Sequence, residues 1–233
     1  MRHRRVPDHE RSRKLIAADT ATSLALCPIC RGNRFEVFSG RPAARCTVCG
    51  ALERHRALVR ATGEVLLDPP RRGRVLEAGP LSRWVYGRFL TKAGWRYTSI
   101  DRWRSGNPRD PREVGFVDHE ADLADLLRFR SGSFDLFITQ HVIEEIPDYE
   151  RALSEIARLL RPAGIALLEI PYDPSLPVSA MLDPPDRYGN VWRFGADVVE
   201  RVRDHFAAVE IIGLIEGSYS GRLLSCRMGA PDR

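Results

Sequence analysis

Four of the five cysteines fall in two Cys-x2-Cys pairs, Cys27 with Cys30 and Cys46 with Cys49, separated by fifteen residues. No other feature limits the fold as tightly. Two such knuckles must come together for four thiolates to surround one metal ion tetrahedrally. Gly32 and Gly50 lie just past the second cysteine of each pair, where the chain must bend back, and "RFEVF" between the pairs alternates like a short strand. The spacing predicts a zinc ribbon over residues 23–50. Four sulfurs complete a Zn²⁺ shell and leave no position for water or substrate, so the metal is expected to be structural. Iron is the other ion that four thiolates hold. Disulfides fit poorly with CxxC pairs in a chain read as cytoplasmic. Cys226 stands apart in "RLLSCRM" and reads as a buried core thiol.

The 233 residues are enough for one large domain and a small appendage. No apolar run approaches the roughly 18–20 residues of a membrane span. The N-terminus is basic with no apolar stretch behind it, unlike a secretory signal, so a cytoplasmic protein is expected. Charge is uneven. Residues 1–72 hold 15 Lys/Arg against 7 Asp/Glu, whereas residues 73–233 hold 21 against 24. The basic part could meet an anion such as RNA, or be a solvated tail with surface arginines.

The order of elements follows from hydrophobic patterning. Residues 1–22 read as a loose basic tail. After the ribbon, Leu52, His55, Leu58, Val59, Thr62, Val65 and Leu66 recur at helical spacing, giving a linker helix within 51–72 that "DPPRRG" ends. From residue 73 to 233 strands and helices alternate: "RVLEA", a helix over 81–92, "YTSID", an Arg/Pro/Gly-rich loop, "VGFVD", "FDLFITQ", a helix over 148–161 stopped by Arg161-Pro162-Ala163-Gly164, "IALLEI", a Pro-rich loop over 171–190, and a helix over 195–206. "VEIIGLI" and "RLLSCRM" close the chain with no helix between them. Nearly all-apolar strands in βα alternation mean an α/β fold with a parallel sheet covered on both faces; the final pair means an antiparallel hairpin at one edge.

Ligands of such a sheet bind beyond the carboxyl ends of its strands. Those ends carry Glu77-Ala78-Gly79, then Asp101 (22 residues after Gly79), then Asp122-Leu123, then Gln140-His141. Asp101 stands where an acid accepts hydrogen bonds from both ribose hydroxyls of an adenosine. Asp122 and Leu123 are placed for adenine contacts. Each signal alone is weak, since a strand-end acid is often a cap or surface residue; their joint order carries the reading.

"SFDLFITQHVIEEIPDYERALSEIARLLRPAGIALLEIP" resembles the segment of class I S-adenosylmethionine-dependent methyltransferases that commonly reads FD-(apolar)-HVLEHI-D…L-E-RVLKPGG. "CPIC…CTVCGALERHR" ahead of it is similar to a bacterial group of these enzymes, methyltransferase type 11-like, with an N-terminal four-cysteine zinc ribbon. The resemblance implies a Rossmann-like sheet of order 3-2-1-4-5-7-6 with strand 7 antiparallel, S-adenosylmethionine as methyl donor, and a cofactor site lined by Glu77, Ala78, Gly79, Asp101, Asp122, Leu123 and Gln140. It places His141 near the acceptor, with Glu144, Tyr172 and Asp173 as further candidates for handling a proton; for His141, packing or helix-start hydrogen bonding is the competing role. The chain departs from the pattern in three places. Pro80-Leu81-Ser82 replaces the later glycines of the E/D-x-G-x-G-x-G loop, Glu145 stands where histidine is common, and Ala163-Gly164 replaces Gly-Gly. A sulfonium cofactor needs no row of N–H groups around a pyrophosphate, so a loop with one glycine is compatible with binding.

Three functions remain open on the residues: a methyltransferase acting on a small molecule or sugar-like metabolite, an RNA methyltransferase docking RNA through the basic ribbon, and a non-catalytic binding protein. NAD fits the first strand-turn-acid pattern but not "QHVIEEIP". No NPPY-like tetrad follows the fourth strand, which argues against methylation of an adenine amino group. "DPPDRYGNVWRFG" either forms a lid over the acceptor or packs Trp192 and Phe194 on the following helix.

Overall fold

The computed structural model describes residues 26–67, 69, 73–80, 85–102 and 117–230. The tail over 1–22, the first ribbon residues, most of "DPPRRG", residues 81–84 of the second expected helix, the loop after Arg102 and the start of "VGFVD" lie outside them.

The ribbon is a hairpin of β1 (Phe35–Phe38) and β2 (Arg41–Cys46). Ser39 and Gly40 at its tip both have positive φ, the geometry whose twist matches that of two flanking strands. Helix α1 (Glu53–Leu67) follows with a kink at Thr62, whose hydroxyl donates to the Leu58 carbonyl at 2.6 Å.

The main sheet contains β3 (Arg74–Ala78), β4 (Arg96–Asp101), β5 (His119–Glu120), β6 (Phe134–Gln140) and β7 (Leu160–Glu169) in parallel. Helix α2 (Tyr86–Lys92) links β3 to β4 and α3 (Tyr149–Leu159) links β6 to β7. A two-residue ladder, β8 (Ala180–Met181) with β9 (Trp192–Arg193), interrupts the Pro-rich loop before α4 (Asp197–Arg203). The hairpin of β10 (Ala208–Glu216) and β11 (Tyr219–Arg227) ends the chain. The order across the sheet is β10-β11-β7-β6-β3-β4-β5, with β11 antiparallel to both neighbours. Counted from β3 as the first strand, this is the expected 3-2-1-4-5-7-6.

Both faces of the sheet are buried because successive side chains alternate. Leu76, Phe137, Leu168 and Leu224 face α3 and α4; Val75, Leu136, Ile138, Leu167 and Leu223 face α1 and α2. Cys226 is fully buried in the first of these cores, and burial pushes its thiol up to about 12.

Some boundaries differ from the sequence expectation. Residues 161–164 are not a turn between elements. Pro162 disfavours helix at the residue before it, so α3 ends at Leu159 and Leu160 passes straight into β7, pairing with Phe134. The irregularity survives as a bulge in β7, where Ala163 takes φ 61°. The third strand is His119–Glu120, directly after "VGFVD", because these residues pair with Ile100 and Asp101. Helix α4 is shorter than 195–206: a tighter i→i−3 turn at Phe206 replaces its last residues. Among the described residues no helix is long and apolar enough to cross a membrane.

Candidate functional site

The strand order reverses between β3 and β6, and there the chain ends of three strands lie level. Ala78 pairs with Ile100 on one side and Thr139 on the other, so Gly79, Asp101 and Gln140 each follow by one residue. Gly79 has φ 64° and donates its N–H to the Ile100 carbonyl at 2.9 Å. A Cβ here would stand 2.3 Å from Val142 Cγ2. The glycine is therefore required by the chain's own packing between the β3 and β6 ends.

Glu77 points into the interior of the sheet and is nearly fully buried. Burial raises its carboxyl to about 8, although the Tyr97 hydroxyl, donating to Oε2 at 2.5 Å, acts in the opposite direction. At neutral pH it is an uncharged acid under the loop. Asp122 accepts from the Ala124 N–H at 2.9 Å and faces Arg102 at 3.4 Å, so its carboxylate shapes the turn after β5. Leu123 is buried in the core with Leu126.

The ends of β6 and β7 hold the densest polar cluster. Gln140 Oε1 accepts from the Tyr86 hydroxyl at 2.9 Å, and its Nε2 donates to Glu169 Oε2 and to the Arg54 carbonyl, the latter at 3.4 Å. His141 takes φ 57°, a conformation that is costly for a residue with a side chain and that collects at functional sites. Its Nδ1 lies 3.3 Å from Glu144 Oε1 and its Nε2 3.4 Å from Glu169 Oε1. Burial works against a charged ring, but hydrogen bonds and charge from Glu144 and Glu169 prevail and raise its pKa to about 9. His141 is thus an imidazolium at neutral pH, half-open to solvent, between two buried carboxylates. Among the described residues no well-aligned hydrogen-bond donor meets Glu144 Oε2 or Glu169 Oε1, which leaves the latter to its ion pair with His141.

Tyr172 and Asp173 continue from β7. Arg222 of β11 covers the Tyr172 ring at 5.4 Å. Asp173 is half-buried and accepts from the Ser175 hydroxyl at 2.6 Å and N–H at 2.9 Å, bonds that hold its carboxyl below the usual range. Arg193 approaches it at 3.9 Å. Trp192 and Phe194 stack on each other and pack edge-on against Tyr149 of α3, while Trp192 Nε1 donates to the Ile146 and Pro147 carbonyls at 3.1 Å. In the segment 183–195 these two rings pack, and Tyr188 remains exposed.

Cys27, Cys30, Cys46 and Cys49 converge with all four Sγ atoms within 4.8 Å of one another. The Cys27–Cys49 and Cys30–Cys46 Sγ separations are 3.8 and 3.6 Å. Tetrahedral Zn²⁺ with bonds of about 2.3 Å sets its sulfurs about 3.8 Å apart, so the donor set fits that ion. The Gly32 N–H donates to Cys30 Sγ at 3.3 Å, as it would to a thiolate. The hydrogen bond with Cys49 lowers Cys27 to about 5 and raises Cys49.

Sequence reading thus found the strand-end residues but passed over Glu169, Tyr86 and Tyr97. Glu169 carried one signal, an acid at the end of the otherwise apolar "IALLEI". The two tyrosines carried none, since an aromatic in an apolar stretch reads as core.

Residues 76–168 match a family of methyltransferase domains. None of the curated proteins compared with the chain matches it. Among solved structures, the 1,6-didemethyltoxoflavin-N1-methyltransferase of Burkholderia thailandensis, bound to 1,6-didemethyltoxoflavin and S-adenosylhomocysteine, is 19% identical with a TM-score of 0.56, covering 76% of this chain and 78% of that one. The [4+2]-cyclase SpnF is 14% identical, TM-score 0.56, covering 76% and 82%. An S-adenosylmethionine-dependent methyltransferase of Mesorhizobium loti is 16% identical, TM-score 0.52, covering 73% and 97%. At these identities the likeness is one of fold.

Proposed function

We propose that this chain, which belongs with the class I methyltransferases, transfers a methyl group from S-adenosylmethionine to a small-molecule acceptor. The observation that carries the reading is the level placement of Gly79, Asp101 and Gln140 at the switch point of the sheet. In this reading residues 23–50 are a zinc module, 51–72 the helix that joins it, and 73–233 the transfer domain. Asp101 holds the ribose hydroxyls, Asp122 and Leu123 flank the adenine, Gly79 and Ala78 form the loop floor, and Glu77 supports that loop from beneath. The bound donor supplies an electrophilic methyl on a sulfonium. The chain's own contribution is positioning and exclusion of water, which can account for much of the barrier in an in-line displacement. His141, charged at neutral pH and held between Glu144 and Glu169, presents a positive charge at the β6 end and can take a proton only towards pH 9. Tyr172 and Asp173 are the further candidates for handling a proton in this reading.

The acceptor is read as a small molecule because several arginines of the ribbon and of α1 are used internally. Arg41 pairs with Glu53, Arg45 with Glu36, and Arg56 and Arg60 with Glu216. Charge spent on such internal pairs contributes less to holding a phosphate backbone.

The test is calorimetry of S-adenosylmethionine and S-adenosylhomocysteine on zinc-loaded protein, with Asp101→Ala as control. Micromolar binding lost in the control is expected. No binding by folded, metal-loaded protein would move the function to a non-catalytic binding role. Salt-dependent RNA binding would replace the small molecule with RNA.

A further inference from the structure

We infer that the four-cysteine ribbon positions the methyl-transfer site, and that Tyr86 is the positioning residue through which it acts.

The first turn of α1 is built into the ribbon. Cys46 N–H donates to the Ala51 carbonyl at 2.9 Å, and Arg45 bridges to Leu52. Arg41 holds Glu53 at 3.0 Å. The Arg56 guanidinium donates to the carbonyls of Ala43, Ala44 and Ala51 and lies 4.7 Å over the Phe35 ring. The His55 ring closes the turn by accepting the Leu52 N–H at 3.1 Å. The other end of α1 is held by the sheet domain, where Trp95 Nε1 donates to the Leu66 carbonyl at 2.8 Å. The kink at Thr62 separates the two halves.

Two carbonyls of that first turn reach the site. The buried Tyr86 hydroxyl lies 3.1 Å from the His55 carbonyl and 2.9 Å from Gln140 Oε1, and its one proton is shared between the two. The Arg54 carbonyl accepts from Gln140 Nε2. The Gln140 amide is therefore committed at both ends, and its orientation follows from chemistry. Reversed, its oxygen would face the Arg54 carbonyl and the Glu169 carboxylate, two groups without a proton to give. Glu169, met by Gln140 on one oxygen, presents the other to His141. The chain of contacts runs from the metal knuckles through α1, Tyr86, Gln140 and Glu169 to His141. It joins residues 54–55, 86, 140–141 and 169, and apart from the neighbours in each pair these are more than 25 positions apart. Loss of the metal loosens the ribbon's hold on the first turn of α1, and with it the Arg54 carbonyl that meets Gln140 and the His55 carbonyl that meets Tyr86.

That this affects cofactor affinity rests on reading Gln140 as a cofactor contact; that the ribbon orders the β6 end does not. The experiment uses the full chain in three forms: zinc-loaded, metal-stripped by a chelator, and zinc-loaded Tyr86→Phe. Amide hydrogen exchange over residues 138–145 and S-adenosylhomocysteine affinity are measured together. Tyr86→Phe should speed exchange over 138–145 and weaken the ligand about five- to tenfold, as expected for one hydrogen bond to a committed amide. Stripping should do the same while 63–67 stays protected. Unchanged exchange over 138–145 in both altered forms would overturn the inference, with the ribbon then opening alone. No ligand binding by the zinc-loaded wild type, with exchange still transmitted, would overturn the donor reading and leave the positioning role standing. If stripping unfolds the whole chain, the Tyr86→Phe arm decides alone.

Discussion

Glu77 and His141 both keep a proton at neutral pH, for opposite physical reasons. Glu77 is uncharged because burial makes its anion costly; His141 is charged because two carboxylates favour its cation. Both folded-state pKa values lie above those of the ordinary side chains, so between the two the folded chain binds more protons than the unfolded one. The stability from each is fully present below the unfolded value and is lost as pH rises through the folded one. For Glu77 the window runs from 4.5 to about 8. Within it the slope is at most about 1.4 kcal/mol per pH unit. Glu77→Gln is expected to flatten this slope, so that denaturant melts at pH 5 and pH 8 differ less in the variant than in the wild type. For His141 the window runs from 6.5 to about 9. Its ring is partly open to water, and the useful readout is the titration itself. Followed by NMR, the His141 pKa is expected to fall in Glu169→Gln, because one of the two carboxylates that stabilise the imidazolium is gone.

Helix α1 carries one buried charged side chain that meets both the ribbon and the sheet. Arg56 is 3% exposed and meets Glu216 of β10 at 3.0 Å as well as the carbonyls of Ala43, Ala44 and Ala51. Arg56→Ala strands those acceptors in a dry interior and should cost about 3–5 kcal/mol, measured by chemical denaturation. Arg60 meets the same Glu216 at 2.7 Å but is 42% exposed, and Arg60→Ala should cost no more than about 1 kcal/mol. The helix itself was readable from its apolar repeat. The burial of its polar members was not, because Glu53, His55 and Arg56 are buried only through partners in β2, in α2 and across the sheet. The bulge in β7 was hidden for a related reason. Pro-Ala-Gly marks a turn locally, but pairing of Leu160 with Phe134 draws the segment into the sheet.

At the scale of the whole molecule, the ribbon and the sheet share one interior. Cys27 and Cys46 belong to the same core as Leu136, Ile138, Leu214 and Leu223. Metal binding is therefore expected to be linked to the stability of the entire chain. Calorimetry of zinc-loaded and chelated protein should give a single transition in the loaded form, with a midpoint that falls on chelation. A sheet-domain transition that keeps its midpoint after chelation would mean the two parts fold independently.

The sequence by itself determined the long strands of the main sheet, because apolar runs of five to seven residues bounded by turn residues are a local signal. It also singled out, through their spacing, the four cysteines that converge, and it placed Gly79, Asp101 and Gln140 at strand ends. The tertiary structure alone decided which of these residues touch. The Glu144–His141–Glu169 cluster, the proton on Glu77 and the tie from Arg54 and His55 through Tyr86 to Gln140 join positions that share no periodicity. Such contacts are set by how the sheet stacks against its helices, and burial, which shifts each of these protons, exists only once that stacking has formed.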